Sequence, residues 1–102
     1  MRVLVIARNK HLTPMEALPA MTEGFRAWRD RYRNKMEVFS FFPDSNGGCA
    51  VVTTKDEAEL HQILLEWPFT PYSEIETLPL VDGDVALRQW SEAVAAMGQP
   101  TS

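Results

Sequence analysis

The chain has 102 residues, of which 45% are hydrophobic and 24% are charged, and its formal net charge is −4. This length and composition predict one folded domain over residues 1–98 with a frayed tail at 99–102, and they exclude a largely disordered chain. No apolar run approaches the roughly 20 residues that cross a bilayer, and the N-terminal run is too short for a signal peptide, so we expect a cytoplasmic protein without a membrane partner.

The first elements in chain order are predicted to be a strand and a helix. Residues 2–8 are a short apolar run rich in β-branched residues, which is typical of a buried strand. Thr13 precedes Glu16 by three residues with Pro14 between them, which predicts a capped helix start. Pro19 lacks an amide donor, so we expect it to kink or restart this helix.

A β-hairpin is predicted to follow this helix, which we expect to end near Asn34. Residues 36–42 and 49–54 have the composition of strands, and the sequence "PDSNGG" between them is rich in turn-forming residues. The helix itself carries an apolar stripe at helical spacing. Its members are Met21, Phe25, Trp28 and Tyr32.

The second half of the chain predicts a helix and then a strand. Thr54 and Glu57 repeat the capping spacing, and Pro68 is expected to end the helix. Residues 73–81 alternate polar and apolar side chains, and Pro79 among them indicates an edge strand or a bulge. The helix is expected to direct Ala58, Leu60, Leu64 and Leu65 toward a core.

A last helix is predicted over residues 85–97, with Asp84 as its N-cap. The complete order is strand, helix, strand, strand, helix, strand, followed by this extra helix. That order predicts an α+β protein of the ferredoxin-like βαββαβ class with a four-stranded antiparallel sheet. The apolar stripe of the last helix consists of Leu87, Trp90, Val94 and Met97.

One face of the predicted sheet needs a cover beyond the two helices of the repeat. We expect Phe39, Phe41, Val52 and the apolar positions of the last strand on that face, covered by the last helix or by a partner subunit. The charge distribution is compatible with self-association, because residues 1–55 hold nine Lys or Arg against five Asp or Glu, whereas residues 56–102 hold one against nine. The alternative to self-association is that the basic half and the acidic half each face solvent and do not contact each other. We expect at least a homodimer.

The segment "ELHQILLEWPFTPYSEIE" resembles the C-terminal signature of the muconolactone isomerases, which are small ferredoxin-like proteins of aromatic catabolism. The similar register extends without a gap from about Thr22 to Glu76. The resemblance implies a dimeric α+β barrel, often assembled into rings, without a metal or an organic cofactor. It also implies an isomerase that moves a proton by acid–base catalysis on an unsaturated lactone. The matching positions are Leu60, His61, Leu64, Pro68, Pro71, Tyr72, Glu74, Ile75 and Glu76.

The resemblance places one candidate catalytic residue, Glu23, where the family has a helix carboxylate. The alternative for Glu23 is a solvated residue near a helix start. Polar family positions in the first two strands are apolar here, for example Leu4 and Ile6, so we expect a small hydrophobic or aromatic ligand instead of muconolactone. The residues expected to line its pocket are Trp28, Phe39, Phe41, Trp67 and Tyr72.

Two other functions are weighed against this one. A non-catalytic oligomerising module would use the same aromatic residues only as core and interface, and the absence of a cavity beside them would favour it. A nucleic-acid binder is suggested by "FRAWRDRYRNK", but Asp30 interrupts the basic run and the chain is acidic overall. We therefore expect a solvated helix face whose arginines meet the acidic half of the chain, and no nucleic-acid partner.

Metal and thiol chemistry are not expected. His11 and His61 are the only histidines and are far apart in the sequence, so they do not predict a metal site. Cys49 is the only cysteine, which excludes an internal disulfide, and a buried, unreactive thiol is expected. The sequence predicts no cofactor.

Overall fold

A computed structural model describes residues 1–98, so the tail predicted at 99–102 lies outside the described residues. The predicted α+β order βαββαβ with a C-terminal helix is correct. Short 3-10 turns occupy Met15–Ala17, Arg33–Lys35 and Thr70–Tyr72. The main elements are β1 (Arg2–Asn9), α1 (Leu18–Arg31), β2 (Met36–Phe41), β3 (Gly47–Thr53), α2 (Glu57–Leu65), β4 (Ser73–Leu80) and α3 (Gly83–Gly98).

The four strands form one antiparallel sheet in the order β2-β3-β1-β4. This is the ferredoxin-like arrangement, in which β3 lies between β1 and β2. Strand β4 is an edge strand, as Pro79 indicated, and Pro79 lies opposite Val3 of β1. An edge position tolerates proline because one side of the strand has no neighbour that needs its amide.

Helices α1 and α2 cover one face of the sheet and form the core with it. Ile63 of α2 is only 1% exposed, although the sequence analysis did not select it. Ala58 and Leu65 were expected in this core but are exposed. The buried residues of the core are Val3, Val5, Trp28, Met36, Ala50, Val52, Leu60 and Ile63.

A register shift in β2 changes which side chains face the helices. The shift lies between Met36 and Val38, so one extra residue is accommodated there. Because strand side chains alternate between faces, one extra residue moves the rest of the strand to the opposite face. Phe39 therefore lies opposite the buried Ala50 and Phe41 lies opposite Gly48. The expectation that Phe39, Phe41 and Val52 belong to the uncovered face is wrong, whereas Leu78 of the last strand does lie on that face.

The uncovered face is apolar in its centre. Leu4 of β1 pairs with Leu78 of β4, and Val38 pairs with Val51. Leu78 and Val38 are about two-fifths exposed. Neither α1 nor α2 covers this face, because both helices contribute their buried residues to the opposite side. The sheet therefore presents an apolar surface to its surroundings.

Neither predicted capping box forms in the structure. A 3-10 turn with no side-chain cap occupies the region after Thr13, and α1 begins at Leu18 with Pro19 in its first turn, where an amide donor is not needed. Helix α1 ends at Arg31, three residues earlier than expected. At α2, Asp56 is the N-cap and accepts a hydrogen bond from the backbone N–H of Glu59 at 2.9 Å.

Helix α3 is capped by Asp82 and not by Asp84. The Asp82 carboxylate accepts hydrogen bonds of 3.1 Å from the backbone N–H groups of Asp84 and Val85. None of the residues of α3 is buried. The described chain is elongated, at 72 × 26 × 22 Å, and its radius of gyration is 18.5 Å, against about 13 Å for a compact domain of this length.

The exposed residues of α3 include the whole stripe that the sequence predicted. This helix therefore extends from the body of the protomer without covering the open face of its own sheet. Among the helices of residues 1–98, none combines the length and apolar character needed to cross a membrane. The exposed apolar residues of the stripe are Leu87, Trp90, Val94 and Met97.

Candidate functional site

A cavity of about 540 Å³ lies between α1 and the helix-facing side of the sheet. Its floor is made by Ala7, Gly48 and Ala50, whose side chains are a methyl group or hydrogen. Small side chains on neighbouring strands leave room that larger ones would fill. The aromatic residues that line the cavity are Phe25, Trp28, Phe39, Phe41, Trp67 and Phe69.

Phe25 is the centre of this aromatic wall. Its ring centroid lies 5.5 to 5.9 Å from the centroids of five other rings, and four of these pairs are close to edge-to-face. Edge-to-face packing is the favourable arrangement for aromatic pairs at such distances. The rings that surround Phe25 belong to Trp28, Phe39, Phe41, Trp67 and Phe69.

The two indoles of the wall differ in how they are held. Trp28 Nε1 donates a hydrogen bond of 2.8 Å to the carbonyl oxygen of Ile63. Trp67 Nε1 is also buried, but it has no hydrogen-bond partner within residues 1–98. The ring centroids of Trp28 and Trp67 lie 6.1 Å apart. The indole of Trp28 is thus fixed by hydrogen bonding, and that of Trp67 by packing alone.

The segment after α2 brings Trp67 and Phe69 to α1. The backbone N–H of Trp67 donates to the carbonyl oxygen of Leu64 at 3.3 Å, and the hydroxyl of Thr70 donates to the same oxygen. Gly24 permits the close approach of α1 to Pro68, because a Cβ at Gly24 would lie only 3.1 Å from Pro68 Cγ. Trp67 and Phe69 of this segment therefore form one wall of the cavity.

Two of the residues expected at the site lie elsewhere. Tyr72 is not part of the lining, and its carbonyl oxygen accepts hydrogen bonds from the backbone N–H groups of Lys10 and His11 at 2.9 and 3.2 Å. Glu23 is exposed on α1 and is also outside the lining. The other expected residues, Trp28, Phe39, Phe41 and Trp67, lie together around the cavity.

Two arginines of α1, Arg26 and Arg29, also line the cavity. The guanidinium carbon of Arg29 lies 4.5 Å from the centroid of the Phe39 ring, and its Nη1 donates weakly to the sulfur of Met36 at 3.7 Å. These arginines were expected to be on a solvated face or against the acidic half of the chain. Within residues 1–98, the ion pairs from this basic segment to the acidic half are made by Arg31 with Glu66 and by Lys35 with Glu59.

The pair Tyr32 and Glu66 holds the far end of α1 against α2. The hydroxyl of Tyr32 donates a hydrogen bond to Glu66, and Gln62 and Arg31 contact the same carboxylate. The hydrogen bond from Tyr32, followed by that from Gln62, lowers the pKa of Glu66. The same hydrogen bond raises the pKa of Tyr32, and burial adds to that increase.

Sequence reasoning missed several lining residues for which signals exist. Phe25 belongs to the apolar stripe, and Phe69 lies in the signature segment, but neither was selected for the pocket. Arg26 and Arg29 lie one helical turn apart, which places both on one side of α1. The side of α1 where the apolar stripe borders the basic residues carries Phe25, Arg26 and Arg29. A pocket predicted at that border would have included all three residues.

The described part of the chain contains no group of three or more His, Cys, Asp or Glu that could hold a metal ion. His11 and His61 are both exposed and lie outside the cavity lining. Cys49 is half-buried and borders the cavity, whereas a buried thiol was expected. The lining is mostly apolar, and its polar members are neutral groups and the two arginines.

The element order and sheet topology define an α+β protein of the ferredoxin-like class. The chain is similar to the crystal structure of a muconolactone isomerase, with a TM-score of 0.70 and 18% sequence identity over 78% of this chain and 88% of that chain. It is also similar to 5-chloro-2-hydroxyhydroquinone dehydrochlorinase (TftG) from Burkholderia phenoliruptrix AC1100 in complex with 2,5-dihydroxybenzoquinone. That likeness has a TM-score of 0.64 and 13% identity over 83% of this chain and 98% of that chain.

The family model of a domain of unknown function, DUF3303, matches residues 1–98, and the chain belongs to this family. A comparison with curated proteins finds no match. The structural likeness to muconolactone isomerase agrees with the resemblance found in the sequence, and it establishes a shared fold.

Proposed function

We propose that this protein binds a small aromatic or hydrophobic metabolite in the cavity under α1. The observation that carries the proposal is a cavity of about 540 Å³ walled by six aromatic side chains. Sites for small molecules commonly enclose roughly 300 to 1,000 Å³ and are mostly apolar. Aromatic residues that served only as core would close such a space, because protein interiors are packed as densely as organic crystals.

The likeness to TftG supports a planar ligand. That protein was solved with 2,5-dihydroxybenzoquinone, which is a flat six-membered ring. A flat ring suits the cavity of this chain, because Phe25, Phe39 and Phe41 offer ring faces and edges at its wall. Such surfaces favour stacked or edge-to-face contacts with another ring.

The geometry supports binding more directly than it supports catalysis. Proton transfer without a cofactor needs an acid–base group within hydrogen-bond distance of the ligand. Within residues 1–98, no carboxylate or imidazole lines the cavity. Glu23 is the candidate for this role if the protein is an isomerase with an altered substrate, and its neighbour Thr22 does line the cavity. We do not expect turnover of muconolactone itself, and turnover that is lost in Glu23→Gln would contradict this expectation.

The binding proposal is tested with a variant whose larger side chain fills the floor of the cavity. Ala7→Leu adds three carbon atoms where β1 lies opposite Gly48, which has no side chain to be displaced. Titration calorimetry with naphthol, a neutral bicyclic aromatic probe, should give binding to the unmodified protein. We expect at least about 10-fold weaker binding to Ala7→Leu, because the space for the ring is lost.

Ala27→Leu is the matched control for Ala7→Leu. It makes the same chemical change on α1, at an exposed position outside the cavity lining. Its affinity for naphthol should stay within about twofold of that of the unmodified protein. Equal binding of naphthol by the Ala7→Leu variant and by the unmodified protein would contradict the proposed function.

A second candidate function, a homo-oligomerising module, is favoured by the exposed apolar surfaces. Helix α3 has no buried residue, and Trp90 on its stripe is 66% exposed. The open face of the sheet is apolar as well, and large exposed apolar surfaces commonly mark contacts between proteins. We propose that α3 and the open face pack against further copies of the chain, giving a homodimer or a larger assembly. Oligomerisation and ligand binding are compatible, because the cavity lies on the opposite face of the sheet.

A further inference from the structure

We infer that the ligand of this cavity is an anionic aromatic compound, whose negative group is held by Arg26 and Arg29 while its ring occupies the aromatic wall. The inference rests on the proposed function and specifies its ligand class. The ionisable side chains of the lining within residues 1–98 are these two guanidinium groups and the thiol of Cys49. An apolar cavity bordered by cations and by no carboxylate favours a ligand with one apolar and one negative part.

Within residues 1–98, the other cations at the end of α1 are paired with carboxylates, whereas Arg26 and Arg29 are not. Arg33 contacts Asp30 at 2.8 Å, and Lys35 contacts Glu59 at 2.8 Å. Arg31 pairs with Glu66. Within the described residues, neither Arg26 nor Arg29 forms an ion pair with a carboxylate. Within residues 1–98, no carboxylate of the protein therefore competes with a bound anion for Arg26 and Arg29.

The two arginines are placed to act together. They are three residues apart on one helix, so their side chains are neighbours on its surface. Arg29 is half-buried and lies over the face of Phe39, which holds its planar group beside the aromatic wall. Arg26 is exposed, so an anion beside it would remain partly hydrated and would avoid the full cost of burial.

Guanidinium groups suit this task better than ammonium groups would. A planar guanidinium can donate two parallel hydrogen bonds to one carboxylate, and it stacks on rings. The weak contact of Arg29 with the sulfur of Met36 leaves most of its five N–H donors free for a ligand. Neutral polar groups of the lining, such as Thr22, supply no competing negative charge.

The test compares naphthoate with naphthamide, which have the same ring system and nearly the same shape but differ in charge. Titration calorimetry should give a dissociation constant for naphthoate at least about 10-fold lower than that for naphthamide. Arg26→Gln should reduce this ratio to about threefold or less, and the double variant Arg26→Gln/Arg29→Gln should abolish it. Raising the salt concentration should weaken naphthoate binding and leave naphthamide binding unchanged.

Arg33→Gln is the control variant, because it removes a positive charge near the end of α1 outside the cavity lining. It should leave the preference for naphthoate unchanged. Equal affinities for naphthoate and naphthamide in the unmodified protein would overturn the inference and leave the proposed function intact. Failure of naphthol, naphthoate and naphthamide alike to bind would overturn both. A preference for naphthoate that survives in the double variant would also overturn the inference.

Discussion

Trp28 Nε1 donates a hydrogen bond of 2.8 Å to the carbonyl oxygen of Ile63, and this bond joins α1 to the last turn of α2. The last carbonyl groups of a helix have no partner within the helix itself. The N–H group four residues after Ile63 belongs to Trp67, and it donates to Leu64. Trp28 therefore satisfies a helix-end carbonyl oxygen and also forms part of the cavity wall.

The first prediction concerns the stability of Trp28 and Trp67 variants. Trp28→Phe removes the donor and leaves the carbonyl oxygen of Ile63 buried without a partner, so it should lower the free energy of unfolding by about 1 to 3 kcal/mol beyond the loss of packing. Trp67→Phe is the matched control, because its Nε1 has no partner within residues 1–98. Urea unfolding followed by far-ultraviolet circular dichroism measures both. Equal losses in the two variants would contradict the role given to this hydrogen bond.

The second prediction separates the cap of α2 from the residue that the sequence suggested. Asp56→Ala should lower the free energy of unfolding by about 1 kcal/mol, because it removes the acceptor for the Glu59 N–H group. Thr54→Val should be neutral or stabilising, because the hydroxyl of Thr54 is buried without a hydrogen-bond partner in the described residues. Thermal unfolding of both variants tests the assignment. A larger loss in Thr54→Val than in Asp56→Ala would restore Thr54 as the cap.

This cap illustrates why local sequence patterns located the helices but not their exact starts. Thr54 with Glu57 and Asp56 with Glu59 have the same spacing, so the sequence alone offers two caps. The structure begins α2 at Glu57, so Asp56 is the N-cap, whereas Thr54 directly follows the end of β3, where its backbone N–H donates to the carbonyl oxygen of Met1 at 2.8 Å. Thr54 and Met1 are far apart in the sequence, so a pattern of a few neighbouring residues cannot predict their contact.

The cavity was only partly predictable for a similar reason. The alternation of β2 correctly grouped Phe39 and Phe41 on one face, but the register shift after Met36 decides which face that is. Four of the five residues expected at the pocket line it, because large aromatic residues near a core tend to face that core. The missing member, Tyr72, is held at the end of β1 by its backbone.

The third prediction is a pH dependence of stability that originates at Glu66. Because its pKa is lowered in the folded protein, Glu66 contributes stability above its ordinary value of 4.5, and this contribution is lost as the pH falls through the lower folded pKa. The urea midpoint of Glu66→Gln should thus lie below that of the unmodified protein at neutral pH, and the two should converge under acid conditions.

The control for the Glu66 experiment is Glu57→Gln on the same helix. Glu57 is exposed and has no side-chain partner in the part of the chain that the structure describes. Its variant should follow the unmodified protein across the whole pH range. A difference between Glu66→Gln and the unmodified protein that stays constant from acid to neutral pH would argue against this linkage.

The fourth prediction tests α3 as a surface for association. Trp90→Asp places a charge in the exposed apolar stripe and should weaken self-association by at least about 10-fold, because buried tryptophans often dominate such interfaces. Gln89→Asp, off the stripe on the same helix, should leave it unchanged. Sedimentation equilibrium over a range of concentrations measures the effect. Unmodified protein that sediments as a monomer throughout would remove the basis for the oligomer.

The closeness of the Trp28 and Trp67 rings gives the cavity an optical signature of its own. Two indoles whose centroids are 6.1 Å apart and whose planes are tilted by 41° share their excited states. Such coupling produces a pair of opposite-signed bands in circular dichroism, and its strength depends steeply on the angle between the rings. A ligand that turns the unanchored Trp67 would change these bands, while the third tryptophan on α3 would contribute none of the change. These bands would therefore report occupation of the cavity without any added label.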